Sequence, residues 1–289
     1  MYDLCNRLYV DTLIQPSRQA SEGKALVEMV RRSPINDKVI LIADRAYESY
    51  NNFAHIEEKA WKYLIRVKDL GSNGILSGLQ LPSGGEFDVC VRRILTRKQH
   101  KEIKSRPDIF RFMPSNVTFD FLPLRSDDFY HIAFRVVRFK ITDDSYETVI
   151  TNLEQSEFLP EELRELYHMR WGIETSFREL KYAVGLISFH SKKRAHIAQE
   201  VFARIILYNF TEISTSHVII SQADRKHAYQ VNFTIATHIC RHFLRLWSYV
   251  LPHDIETLIS KNIQPVRPGR MNKRKFRTKA VVSFMYRVA

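Results

Sequence analysis

Five consecutive apolar residues, Val39 to Ala43, stop at a single carboxylate, Asp44, in the stretch KVILIAD. A short β-rich run of this kind reads as a strand buried in the middle of a sheet. Before it, residues 7–14 (RLYVDTLI) read as a strand, and residues 20–32 as a helix with Leu26, Met29 and Val30 inward. After it, residues 48–60 read as a helix and KYLIRVK (62–68) as the next strand. Strands alternating with helices imply a mixed α/β sheet. The character changes at Gly71, where Gly71, Gly74, Gly78, Gly84 and Gly85 punctuate the chain. Beyond them EFDVCVRRILT, FDFLPL, FYHIAFRVVRFKI and ETVITNL read as strands between polar turns. From Pro160 the pattern turns helical, with Pro160 suited to a first turn and Gly185 to a stop. Further helices are expected over 195–216 and 226–250.

The chain carries 44 Lys and Arg against 32 Asp and Glu, a formal charge of +12, so a polyanion is the first partner to consider. The 45% hydrophobic content supports a sizeable core. Cys5, Cys90 and Cys240 are far apart and form no C-x-x-C pair, which signals neither a zinc site nor a disulfide framework and fits a reducing compartment. The opening residues carry charge where a signal peptide has its apolar region. No run reaches the roughly 18 apolar residues of a membrane span, so no membrane partner is expected. After Glu256 there is no further acid, and the tail holds Arg267, Arg270, Lys273, Arg274, Lys275, Arg277 and Lys279. Such a run is either a solvated end or a salt-sensitive phosphate contact.

Residues 163–184 fit one amphipathic helix. Leu163, Leu166, Met169, Ile173, Phe177, Leu180 and Val184 form the core stripe, and Tyr167, Arg170, Glu174, Arg178 and Lys181 lie directly beside it. Glu174 has a cation one turn before and one turn after, more than a single surface ion pair needs. A carboxylate at the carboxyl end of a sheet strand is where α/β folds put chemistry. Asp44 and Glu174 together suit metal-dependent phosphoryl transfer, because hard divalent cations prefer oxygen ligands and the neighbouring cations can hold phosphates.

The spacing Tyr167-x-x-Arg170-x-x-x-Glu174-x-x-x-x-x-x-Lys181 resembles the Tyr-Arg-Glu-Lys signature of bacterial DDE transposases of the insertion-sequence four family. ADRAY (43–47) resembles that family's second-Asp motif, with Ala46 where glycine is usual, and ITNL (150–153) and FHSKK (189–193) are similar as well. The resemblance implies an RNase H-like catalytic core, incomplete at the amino terminus, with a β-rich insertion and a helical carboxy-terminal region. The expected divisions are a partial core over 1–70 carrying the second Asp, the insertion over 71–153, the catalytic-Glu helix and a core-completing helix over 154–220, and a helical region with basic tail over 221–289. It also implies that Asp44 and Glu174 are catalytic and metal-binding, with Mg2+ or Mn2+ as the ion. Tyr167, Arg170, Arg178 and Lys181 are expected at the DNA, with Trp171 stacking on an unpaired base and His190, Lys192 and Lys193 as further contacts. The implied partners are transposon terminal repeats and target DNA, within a homodimeric synaptic complex in a bacterial cytoplasm, associated with the nucleoid.

The family places a first Asp on an earlier core strand, and the sequence upstream of Asp44 has room for one strand and one helix. The expectation is therefore an amino-terminally truncated transposase that neither cleaves DNA alone nor folds with full stability. The alternative is a non-catalytic DNA-binding or dimerising inhibitor of the full-length enzyme, carried by the 195–250 helices and the tail. A third reading is a basic nuclease of the same superfold.

Overall fold

The computed structural model describes residues 1–143, 145–222, 227–245, 254–266 and 283–284. In chain order the elements are β1 (Tyr2–Asp3), β2 (Leu8–Tyr9), α1 (Glu22–Arg32), β3 (Ile40–Ala43), α2 (Tyr50–Glu58), β4 (Lys62–Val67), β5 (Phe87–Thr96), α3 (Lys101–Ser105) and β6 (Phe110–Phe112). They continue with β7 (Phe129–Thr142), β8 (Ser145–Thr151), α4 (Pro160–His168), α5 (Trp171–Tyr182), β9 (Ser188–Phe189), α6 (Arg194–Ser216), β10 (Tyr229–Val231), α7 (Phe233–Arg245), α8 (Ile255–Ser260), β11 (Ile263–Pro265) and β12 (Ser283–Phe284). Two compact units result, one of residues 15–170 and one of residues 1–14 with 171–289. Among the described residues no helix is long and apolar enough to cross a membrane.

The first unit is built on a six-stranded mixed sheet of order β3-β4-β8-β7-β5-β6. β3 and β4 are parallel, joined through α2, and β8, β7 and β5 follow antiparallel. Side chains alternate across the pleat, so each strand feeds two layers. On one face Phe53 of α2 stacks on Tyr63 of β4, ring centroids 4.9 Å apart. On the other, Leu64, Val137, Phe139 and Val149 form a core with Leu163 and Tyr167 of α4. Two corrections to the sequence reading arise here. Among the described residues KVILIAD forms an edge strand, with Ala43 its buried position, because β4 alone pairs with it there. FDFLPL (119–124) is a turn rather than a strand. Two of its backbone carbonyls accept from one guanidinium: Arg97 donates to Phe119 O and Leu122 O, and also to Met113 O and Pro114 O nearby. A side chain that satisfies these carbonyls removes the need for a ladder partner.

Between α2 and β4, Tyr63 donates its hydroxyl to Glu57 Oε1 at 3.1 Å. Burial pushes the Glu57 carboxyl up from its ordinary 4.5 to about 7. A carboxyl that holds its proton more tightly when folded contributes stability fully present below its unfolded pKa. That contribution is lost as pH rises through the folded value. Urea midpoints of the chain are therefore expected to fall between pH 4.5 and 7, and Glu57→Gln to flatten that segment. Identical pH profiles for the variant and the parent chain would count against this assignment.

The second unit packs α5, α6, α7 and α8 around Leu180, Val184, Ile205, Leu207, Tyr208, Ala236, Cys240 and Ile259. Residues 7–14 do not form a strand of the large sheet. β2 is two residues long and pairs only with β1, and Tyr2 and Tyr9 are drawn into this helical core. Tyr9 also accepts and donates backbone hydrogen bonds with the Asn209 side chain, which holds the segment on α6. α7 covers 233–245 of the expected 226–250 helix. Residues 226 and 246–250, and the basic tail from Arg267 to Lys279, lie outside the described residues.

The single helix expected over 163–184 is two. α4 ends at His168 and α5 begins at Trp171, and the junction tightens through Arg170 N–H to Tyr167 O at 3.1 Å. The physical reason is that Leu163 and Tyr167 belong to one core while Leu180 and Val184 belong to another. Gly172, a weak helix former, follows the break. Met169 and Phe177, expected in the core stripe, are exposed, and Ser176 is buried in their place. Gly185 terminates α5 as expected. It has φ +91°, and Leu186 N–H reaches back to Leu180 O at 3.0 Å.

Candidate active site

Asp44 leaves the carboxyl end of β3 in an extended conformation. Its Oδ1 accepts the Arg45 N–H at 2.6 Å and caps a short 3-10 turn, Arg45–Tyr47. That bond fixes one oxygen. The side chain stays 47% exposed, with Oδ2 3.9 Å from Arg170 Nη1.

Tyr167 and Arg170 come from the end of α4. Tyr167 is 4% exposed, and its hydroxyl has no hydrogen-bond partner among the described residues. Burial pushes its pKa up, the Asp44 and Glu147 carboxylates push the same way, and Arg170 and Arg66 oppose them. The phenol therefore stays protonated and can donate. The Arg170 guanidinium sits 5.6 Å from the Tyr167 ring centroid.

Two further charges belong to this corner. Arg66 of β4 pairs with Glu147 of β8 at 3.3 Å. Pleat parity puts Arg66 on the Leu64 face and Glu147 on the Val149 face, the side that α4 covers. Sequence reasoning passed over both. Their i+2 spacing from core residues was visible, but only the antiparallel register of β4 with β8 makes them neighbours.

The site therefore combines two carboxylates, two guanidiniums and a buried phenol. A buried hydroxyl left without a partner costs about 1–3 kcal/mol. An incoming phosphate oxygen could accept from it and from the Arg170 fork, recovering that cost.

The remaining expected site residues lie in the second unit. Glu174 is exposed in the first turn of α5, with Arg178 and Lys181 exposed further along and Trp171 54% exposed at its start. His190 donates its backbone N–H to Glu200 Oε1 at 2.9 Å, and its ring pairs with Glu200 Oε2 at 3.1 Å. Arg204 shares that carboxylate, so His190 is engaged within the protein. Lys192 and Lys193 are exposed just before α6. In ITNL, Asn152 accepts from Tyr63 N–H and donates to Trp61 O, closing the start of β4.

A pair of divalent ions takes several hard oxygen ligands. Asp44 offers such an oxygen, but among the described residues no three His, Cys, Asp or Glu side chains gather. These residues alone do not fit a two-ion site.

No curated protein matches the sequence. The family model of the transposase DDE domain matches residues 1–210. With a mixed central sheet flanked by helices and an acid at the end of a sheet strand, the chain belongs to the transposase DDE domain family.

Proposed function

We propose that the chain is a DNA transposase of the insertion-sequence four type, acting by cleavage and strand transfer at transposon ends. Membership in the DDE family makes DNA the substrate class and nucleotidyl transfer the reaction class. The observation that carries the finer reading is the corner where Asp44, Arg170 and the unpartnered Tyr167 hydroxyl meet. Such domains generally use divalent metal ions. A divalent ion would find one hard-oxygen ligand in Asp44 and would supply charge stabilisation to phosphoryl transfer. Asp44 and Glu174 are assigned as two of the acidic ligands on the family pattern. Tyr167 and Arg170 would hold the scissile phosphate, and Arg178, Lys181, Lys192 and Lys193 the flanking backbone. Trp171 would take an unpaired base. On this reading the mixed sheet is an RNase H-like core and residues 71–153 its β-rich insertion, and the complex that joins two ends is a homodimer.

The test mixes the purified chain with labelled transposon-end DNA and Mg2+ or Mn2+. Nicking that falls to background with Glu174→Gln is expected. Equal nicking with and without Glu174 sinks the assignment. The incomplete acid set among the described residues also favours a second reading, an inhibitor of an intact transposase. That reading requires the wild-type chain and its Glu174→Gln variant to suppress transposition equally.

A further inference from the structure

A cleft of about 950 Å³ opens in the first unit beside the Asp44 loop, between the 68–78 loop and the α3–β6 segment. Six cations line it, Arg45, Lys68, Arg93, Lys98, Lys104 and Arg111, against one acid, Glu48. Glu48 is already committed. It accepts Lys68 N–H at 2.9 Å and Ile75 N–H at 2.7 Å, which clamps the loop. Arg93 is committed too, donating to Tyr50 Oη at 3.1 Å and to Pro107 O. The side chains of Arg45, Lys104 and Arg111 enter no hydrogen bond or ion pair among the described residues. Lys98 pairs with Asp127 at 3.4 Å, so Arg45, Lys104 and Arg111 are the cations left without counter-charge; they repel one another, and a phosphodiester backbone would relieve that repulsion.

The walls are not uniformly polar. Phe110, Arg111 and Phe112 of β6, all half-buried, are among its lining residues. Cations and aromatic rings gathered in one cleft are what hold unpaired strands, since each ring takes one base face. A duplex hides those faces within its own stack. Arg45, on the cleft rim, is the residue after Asp44, so the cleft adjoins the candidate acid.

We infer that this cleft binds an unpaired nucleic-acid strand through its phosphates and bases. The inference deepens the transposase reading, since a strand freed at a cut end is what such a cleft would hold, but its test needs no cleavage. A dye-labelled single-stranded oligonucleotide and its duplex are titrated with the whole chain by fluorescence anisotropy across a salt series. For Lys104→Glu with Arg111→Glu, single-strand affinity is expected to fall by about tenfold or more. The log–log salt slope should shrink by about 1.4, at ~0.7 per lost phosphate contact. Phe112→Ala should cost about tenfold with the slope unchanged, because stacking is not ionic.

Lys101→Glu with Arg18→Glu, the same charge change outside the cleft, controls for net charge. Thermal melts check folding, and Phe112→Ala gives a second route if the charge reversals fail to fold. Equal losses in the control and cleft variants overturn the inference. Equal losses on duplex and single strand also overturn it, leaving a general phosphate surface. Competition by inorganic phosphate as strong as by the oligonucleotide would reduce the cleft to a simple anion site. Single-strand binding in the cleft with no cleavage in the earlier assay would leave this inference standing and the transposase reading alone in question.

Discussion

Asp44→Asn is expected to remove divalent-ion-dependent nicking by about 10³-fold or more, roughly 4 kcal/mol of transition-state stabilisation, while leaving the fold intact. The geometry separates the two effects. The Arg45 N–H donates to the carboxylate at 2.6 Å, and an Asn carbonyl oxygen can accept it in the same place. Asn and Asp cap helical turns about equally well. The side chain is nearly half exposed, and its contact with the largely buried Arg170 guanidinium is long, at 3.9 Å, so the fold loses little by the change. What the amide loses is the negative charge and the hard oxygen that a divalent ion prefers. Single-turnover nicking measures the first effect, and a circular-dichroism melt the second. Rates within about threefold of wild type would remove Asp44 from the chemistry. A collapsed melt would instead mean that the β3 end depends on the charge.

The second large effect is structural and lies away from the site. Arg135 is 3% exposed and forks onto Asp88, with Nε to Oδ1 at 3.1 Å and Nη2 to Oδ2 at 2.6 Å. Its Nη1 donates to Leu153 O and Phe158 O, at 3.0 and 3.1 Å. The guanidinium therefore ties β5 and β7 to the loop that delivers α4, and α4 carries Tyr167. Asp88→Ala leaves a buried cation with one side unpaired. The expected loss is about 3–5 kcal/mol of unfolding free energy, because removing one partner of a buried pair exposes the other's desolvation cost. Urea denaturation checks it against Glu154→Gln, which removes the exposed 4.0 Å pair with Lys62 and should cost under ~1 kcal/mol. Comparable losses for the two variants would show that the Arg135 pair is no stronger than a surface contact.

Much of the secondary structure was legible along the chain. Strands at 62–67, 87–96, 129–142 and 145–151 and the helix at 194–216 are where alternation and periodicity put them. The stop at Gly185 and the start at Pro160 follow from backbone chemistry that needs no tertiary context. The misses share one cause. FDFLPL has strand composition, but Arg97, distant in sequence, satisfies two of its carbonyls. RLYVDTLI has strand composition too, but Tyr9 finds more to bury against Tyr208 and the α6 core than in a sheet.

At the site, local chain chemistry was enough to show that Asp44 closes a strand and that Tyr167 and Arg170 lie one turn apart, because both are properties of neighbouring residues. That Arg170 reaches Asp44, that Arg66 and Glu147 join that corner, and that the amphipathic stretch after Leu163 breaks at Arg170 emerged on folding. Those outcomes depend on strand register and on which core each turn packs into. Periodicity reports that a residue has a buried side, and it carries no information about what lies on the other side of the contact.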